Sequence, residues 1–268
     1  MELSGPFRLE AEVGGTVARP VLTGNFSLDD AVVGTGKTAP LTDLSVRARY
    51  DETGLSLGEV RGRWDNATMT ALGFVPVRLL APYLGSGIES RAETMNVARL
   101  HVRLDDVRPE VLSGVVDPVA LEEVAGALGV VLDLEADALD LASVRATGTL
   151  RDLDLRVAGL PITQRGQTRV RFENGRLAVE RFAWRFGEAE TVLTLGGEVE
   201  MLPEPTASLA LTGTADLSVL NAFSPGAALG GTASLAVNLG GTIAQPSITG
   251  AMKIMDGEVR CLLYTSPS

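Results

Sequence analysis

The chain has 268 residues, 45% hydrophobic and 21% charged, with a formal net charge of −11 and a mean hydropathy of +0.19. That balance excludes a disordered tail, and it lacks the basic footprint that binds nucleic acid or an anionic membrane surface by charge. One histidine (His101) and one cysteine (Cys261) leave no material for His/Cys zinc sites, a disulfide framework or most triad chemistry, so composition argues against an enzyme.

The dominant pattern along the chain is alternation of apolar and polar residues, the signature of strands with one apolar face. Phe7, Leu9, Ala11 and Val13 begin it. Gly14-Gly15 followed by Pro20 predicts a turn and re-entry into a sheet, because proline lacks an N–H and belongs at a strand's beginning or edge. Leu44, Val46, Ala48 and Tyr50 alternate with Ser45, Arg47 and Arg49, and Thr53-Gly54 leads into Leu55 and Leu57. A further strand over 67–75 makes this a three-stranded meander. A short helix is predicted over Val77–Leu84, interrupted by Pro82.

Leu100, Val102 and Leu104 alternate with Arg99, His101 and Arg103. Asp117-Pro118 then reads as an N-cap with proline in the first turn. Leu121, Val124, Ala125 and Leu128 follow at helical spacing up to Gly129, which predicts a helix. Leu132, Leu134 and Ala136 alternate with Asp133, Glu135 and Asp137, and Leu153, Leu155 and Val157 with Asp152, Asp154 and Arg156. Asn174-Gly175, between Val170/Phe172 and Leu177/Val179, supplies the positive φ angles of a tight hairpin, and a strand over 189–199 completes a second meander. Asp216–Phe223 is a third short helix, and Leu235, Val237 and Leu239 resume the alternation. The reading gives roughly fourteen strands against three short helices.

The chain also repeats itself. Residues 14–33 align without gaps on 240–259, with identities that include Gly14/Gly240, Gly15/Gly241, Pro20/Pro246, Gly24/Gly250, Asp30/Asp256 and Val33/Val259. The hairpin LSVRARYDETGLSLGEVRGRW resembles TRVRFENGRLAVERFAWRF. Such repetition points to a quasi-one-dimensional β array. Residues 1–260 read as one β segment internal to a longer protein. The octapeptide 261–268 breaks the pattern and reads as a non-native, adapter-like tail.

Sharper motifs dissolve on inspection. Gly34-Thr35-Gly36-Lys37-Thr38 has Ala31 where a phosphate loop needs its first glycine, and Ala39-Pro40 follows in place of a helix, so it reads as a solvated turn. Asp133, Glu135, Asp137, Asp140, Asp152 and Asp154 lack calcium-loop spacing and read mostly as the outer face of strands. Asp29/Asp30, Asp105/Asp106 and Glu122/Glu123 are neighbours at turns or on a helix, which is no arrangement for paired-carboxylate catalysis. No catalytic residue, metal ligand or cofactor is predicted.

The 14–33 and 240–259 units, the Asn-Gly hairpin and the run DLSVLNAFSPGAALGGTASLAVNLGGTIAQPSITGAMKIMDGEVR (216–260) resemble the TamB/AsmA-like family. These are envelope proteins of Gram-negative-type bacteria, related in architecture to bridge-like lipid-transfer proteins. The resemblance implies an elongated, twisted antiparallel sheet curled into an open groove with an apolar inner face. It also implies a periplasmic location, tethered to the inner membrane by an N-terminal anchor outside this sequence. Phospholipid acyl chains are the implied cargo, and an outer-membrane barrel protein a partner reached through a C-terminal region also outside it.

The physics is compatible with that resemblance. A one-sided sheet must cover its apolar face, three short helices cover little, and the remaining choices are a second sheet or a filling. Acyl chains supply such a filling at ~0.8 kcal/mol per buried CH₂. The residues expected to line the groove are Phe26, Leu28, Val46, Leu57, Leu100, Val102, Leu155, Val157, Phe172, Val179, Leu235, Val237, Leu239 and Ile254. Trp64, Trp184, Phe182 and Phe186 are strand core that would share that surface. Two other functions fit the same pattern: an assembly factor for outer-membrane proteins acting by β-augmentation, and a structural β-repeat scaffold with a closed core.

Overall fold

A computed structural model describes residues 2–16, 19–34, 39–84, 96–112, 124–138, 140, 142–157, 159–187, 191–201, 205–223, 227–242 and 245–261. The fold is all-β and antiparallel, with few and short helices, as the alternation predicts. It divides into two compact units. The first holds Met1–Pro118, Leu128–Thr149 and Phe172–Asn174, and the second the rest of the chain.

The first unit contains β1 (Glu2–Ser4), β2 (Phe7–Thr16), β3 (Arg19–Gly34), β4 (Leu41–Tyr50), β5 (Gly54–Trp64), β6 (Ala67–Pro76), the helix α1 (Val77–Leu84) and β7 (Ala98–Val107). Each strand from β3 onward pairs with its successor in sequence, and β1 and β2 share one flank of β3. The meander β4–β5–β6 turns where Thr53-Gly54 predicts. The Asp51 and Gly54 backbones exchange hydrogen bonds of 3.0 and 3.2 Å. The Thr53 N–H and hydroxyl both donate to the Asp51 carboxylate, which draws its pKa below the ordinary value. Helix α1 runs through Pro82. It starts at Val77, whose N–H donates to the Thr53 carbonyl and whose side chain is buried, as is that of Leu79.

One prediction is overturned. Val124, Ala125 and Leu128, read as a helix face, lie in β8 (Val124–Ala136). Leu128 stands opposite Val107 and Leu132 opposite Val102. The spacing of these residues also fits a strand that continues into Val130, Leu132 and Leu134, and pairing with β7 decides for the strand. Residues 113–123, including Asp117-Pro118 and Glu122/Glu123, lie outside the described residues, as do residues 35–38 of the Gly-Thr-Gly-Lys-Thr turn. Strand β9 (Val144–Val157) follows; β8 and β9 contribute residues to both units.

The second unit adds β10 (Leu160–Gln164), β11 (Thr168–Glu173) as far as Arg171, β12 (Arg176–Phe186), β13 (Val192–Glu200), β14 (Thr206–Asp216), a 3-10 turn (Leu217–Phe223), β15 (Ala227–Thr242) and β16 (Pro246–Cys261). Strands β10, β12, β13, β14, β15 and β16 are successive neighbours. Asn174 and Gly175 have φ of 52° and 74°, the two left-handed residues of the predicted hairpin turn. Strand β13 matches the strand expected over 189–199. Asp216 caps the 3-10 turn by accepting the Ser218 N–H at 2.8 Å. Within that turn Asn221 exchanges two side-chain hydrogen bonds with the Leu229 backbone, at 2.6 and 3.2 Å. It thereby occupies a ladder position beside β15 where β14 has already ended. Strand β16 extends one residue beyond the predicted segment end, to Cys261, and residues 262–268 lie outside the described residues.

The internal repeat is longer than the 20-residue alignment shows. In the first unit Leu3 pairs with Val33, Phe7 with Leu28, Leu9 with Phe26 and Gly15 with Pro20. In the second, the matching pairs are Leu229 with Val259, Ala233 with Ile254, Leu235 with Met252 and Gly241 with Pro246. Residues 2–34 and 228–260 therefore fold as the same hairpin in the same register. Gly5 and Gly231 match too, at φ of 144° and 101°. A Cβ at Gly5 would lie 2.7 Å from the Ala31 Cα, and one at Gly231 2.5 Å from the Asp256 carbonyl oxygen. Only glycine lets the two strands approach there.

Candidate functional site

Directly paired residues of an antiparallel sheet project from the same face, so the registers convert single alternations into rows. In the first unit one row runs Leu9, Phe26, Ala48, Leu57, Gly73, Leu100 and Leu134 across β2 to β8. The next runs Phe7, Leu28, Val46, Val60, Ala71, Val102 and Leu132. Six of the predicted lining residues, Phe26, Leu28, Val46, Leu57, Leu100 and Val102, thus fall in two adjacent rows of one face. Around them Leu28, Ala31 and Leu44 form a buried cluster with Val33, Leu41, Val60 and Met69 packed against it.

The second unit repeats the arrangement. Trp184, Leu193, Gly213, Leu235 and Met252 form one row, and Phe182, Leu195, Leu211, Val237 and Gly250 the next. Val179, Gly197, Leu209, Leu239 and Ile248 form a third. Ile254 stands opposite Ala233, Leu155 opposite Ile162, and Val157 opposite Leu160. The Phe182 and Trp184 rings meet at 4.7 Å between centroids with planes 34° apart. Phe172 is half-buried in β11. Ile254 is the outlier of the predicted set, 50% exposed on β16.

Among the described residues, prolines aside, twelve apolar side chains are buried, and five of these are alanines. The large residues of the rows are mostly half-buried. A face of this kind has lateral neighbours in its own sheet but little enclosing layer. Sequence reading missed Leu193, Leu195, Leu209 and Leu211 of β13 and β14, although each pair shows the two-residue spacing that identified the others. No helix among the described residues is long and apolar enough to cross a membrane.

The opposite face carries charge. Across β7 and β8, Arg99 meets Glu135 at 3.1 Å and His101 meets Asp133 at 2.7 Å, each pair directly opposite in register. Arg103 contacts Asp105 at 2.7 Å and Arg145 contacts Asp137 at 3.0 Å. Asp133, Glu135 and Asp137 therefore pair with His101, Arg99 and Arg145 on a wet face. Asp140 instead accepts the Ser143 N–H at 2.9 Å, and Asp152 sits at φ 50°. In the second unit the outward rows are mainly neutral and small, as in Thr194, Thr212, Ala236 and Ala251. Compared with protein-family models, with curated proteins and with solved structures, the chain finds no match.

Proposed function

We propose that this chain is part of a periplasmic envelope protein whose apolar sheet face carries phospholipid acyl chains between the inner and outer membranes. The observation behind the reading is the alignment of predicted lining residues into continuous cross-strand apolar rows within each unit. The TamB/AsmA-like sequence pattern supports the compartment, the anchorage to the inner membrane outside this sequence, and the lipid cargo. No covalent step is involved: acyl chains exchange water for an apolar track, and each CH₂ that does so contributes ~0.8 kcal/mol.

The test is native mass spectrometry with lipid extraction on protein purified from a bacterial periplasm. Val102→Asp and Leu235→Asp should lose co-purified phospholipid, while Thr70→Asp and Thr212→Asp on the opposite faces should keep it. Folded, lipid-free wild-type protein, or equal retention in all four variants, would overturn the proposal.

A second reading, strand addition to unfolded outer-membrane proteins, has one observation in its favour. Phe26, Leu28 and Val33 of β3 are paired on their far side by β4 and are buried or half-buried. Their repeat equivalents Met252, Ile254 and Val259 of β16 pair, among the described residues, only with β15 and are 59%, 50% and 70% exposed. Proline at Lys253 or Glu258 would abolish activity under this reading and spare it under the first.

A further inference from the structure

On the charged face of the first unit lies a depression of roughly 480 Å³, lined by Arg8 and Glu10 of β2, Asn25 and Ser27 of β3 with Phe26 between them, Arg47 and Arg49 of β4 with Ala48 between them, and Ser56 and Gly58 of β5. Register builds it from two rows. Arg8 stands opposite Ser27 and Ser27 opposite Arg47, while Glu10 stands opposite Asn25, Asn25 opposite Arg49 and Arg49 opposite Ser56. The small residues Ser27, Asn25 and Ser56 form the floor, with hydroxyl and amide groups, and the long arginines rise around it.

The three cations differ in engagement. Arg47 is held at 2.8 Å by Asp29 and donates to the Val46 carbonyl at 3.3 Å. Arg49 acts on the Asp51 carboxyl through its charge alone, and among the described residues Arg8 takes part in no hydrogen bond or ion pair. Elsewhere on this face Arg99 is matched with Glu135 and Arg61 with Glu59. In a chain of net charge −11, a concave site that gathers Arg8, Arg47 and Arg49 around small polar residues selects an anion.

We propose that this depression binds an organic phosphate. The phosphate sits over Ser27 between Arg8, Arg47 and Arg49, and a hydroxyl- or amine-bearing part of the ligand turns toward Glu10. Guanidinium forks match phosphate oxygens two at a time, which lysine does not offer. The carboxylate of Glu10 repels a second anionic group and accepts hydrogen bonds from hydroxyl or ammonium donors. The site lies on the face opposite the apolar rows, so it stands or falls independently of the acyl-chain reading.

The experiment has two arms, because the same glycerol-phosphate chemistry occurs in solution and on a lipid head group. One arm titrates the full chain with glycerol 3-phosphate, followed by calorimetry; the other measures sedimentation with phosphatidylethanolamine vesicles. The Arg8→Gln/Arg49→Gln double variant is compared with Arg176→Gln, which breaks a remote surface pair with Glu200. Saturable, salt-sensitive binding in either arm, weakened at least about tenfold by the double variant and unchanged by Arg176→Gln, is the expected result. The arm that responds identifies the source of the phosphate. Binding in neither arm, or binding that the double variant leaves undiminished while its circular dichroism matches wild type, overturns the proposal.

Discussion

Asp30 and Asp256 hold the same left-handed backbone, with φ of 49° and 52°, at the same step of two hairpins far apart in the chain. Each stands at a break in its hairpin's register, between the pairs Phe7/Leu28 and Ser4/Val32 in one and between Gly230/Glu258 and Thr232/Met255 in the other. The aspartate that ends the repeat motif is thus a bulge residue within a strand. Bulges twist a strand and re-aim its side chains, and aspartate tolerates the left-handed region better than most residues.

Asp30→Val and Asp256→Val should each destabilise the protein by about 1–2 kcal/mol, since a β-branched residue is strained at positive φ. Asp30→Gly should be close to neutral. Urea unfolding monitored by circular dichroism measures both; an Asp30→Val variant as stable as wild type would contradict the conformational role.

Leu28 is 6% exposed and packs with Ala31 and Leu44 beneath Phe26, Val46 and Val60. Leu28→Ala should cost about 2–4 kcal/mol, through lost burial and the cavity left behind. Leu72→Ala, at a side chain 55% exposed on the other face, should cost far less. Comparable losses at the two sites would place the structural core of this unit elsewhere.

The Asp51 turn makes a pH prediction. Hydrogen bonds from Thr53, side chain first and backbone next, hold the Asp51 carboxyl below its ordinary value of 3.8. Its contribution is therefore fully present above that value and is lost as pH falls through the lowered native pKa. Thr53→Val should move the Asp51 titration upward toward the ordinary value, read by carboxyl-carbon NMR. An unchanged titration would show that the hydroxyl does not set it.

The Arg99–Glu135 pair has side chains 70% and 47% exposed at 3.1 Å. A double-mutant cycle with Arg99→Ala and Glu135→Ala should give a coupling of about 0.2–1 kcal/mol that weakens in high salt. Coupling well above that range would mean the pair is shielded from solvent.

The all-β class, the hairpin turns and the later part of the repeat, 14–33 on 240–259, were legible in the residues, because each is a local matter. Alternation of apolar and polar groups encodes a one-sided strand, Asn174-Gly175 encodes a left-handed turn, and a repeated Gly-Gly…Pro spacing encodes a repeated hairpin. What lay beyond local reading depended on partners distant in sequence. Residues 124–128 carry a spacing that serves either a helix or a strand, and β7 chose the strand. The repeat extends back to residue 2 although Leu3, Gly5 and Leu9 are the only identities with 228–239, because pairing geometry persists where side chains have diverged.

Face assignment depended on tertiary structure most of all. Leu57 and Val60 are an odd number of residues apart, so alternation places them on opposite faces of β5. They nevertheless fall in adjacent apolar rows, because the register shifts between them as β5 pairs with β6. The sequence by itself determined that strands with an apolar side would form and where the chain would turn. Which residues share a surface was decided by the sheet, since a bulge of one residue reverses the side to which every later side chain points.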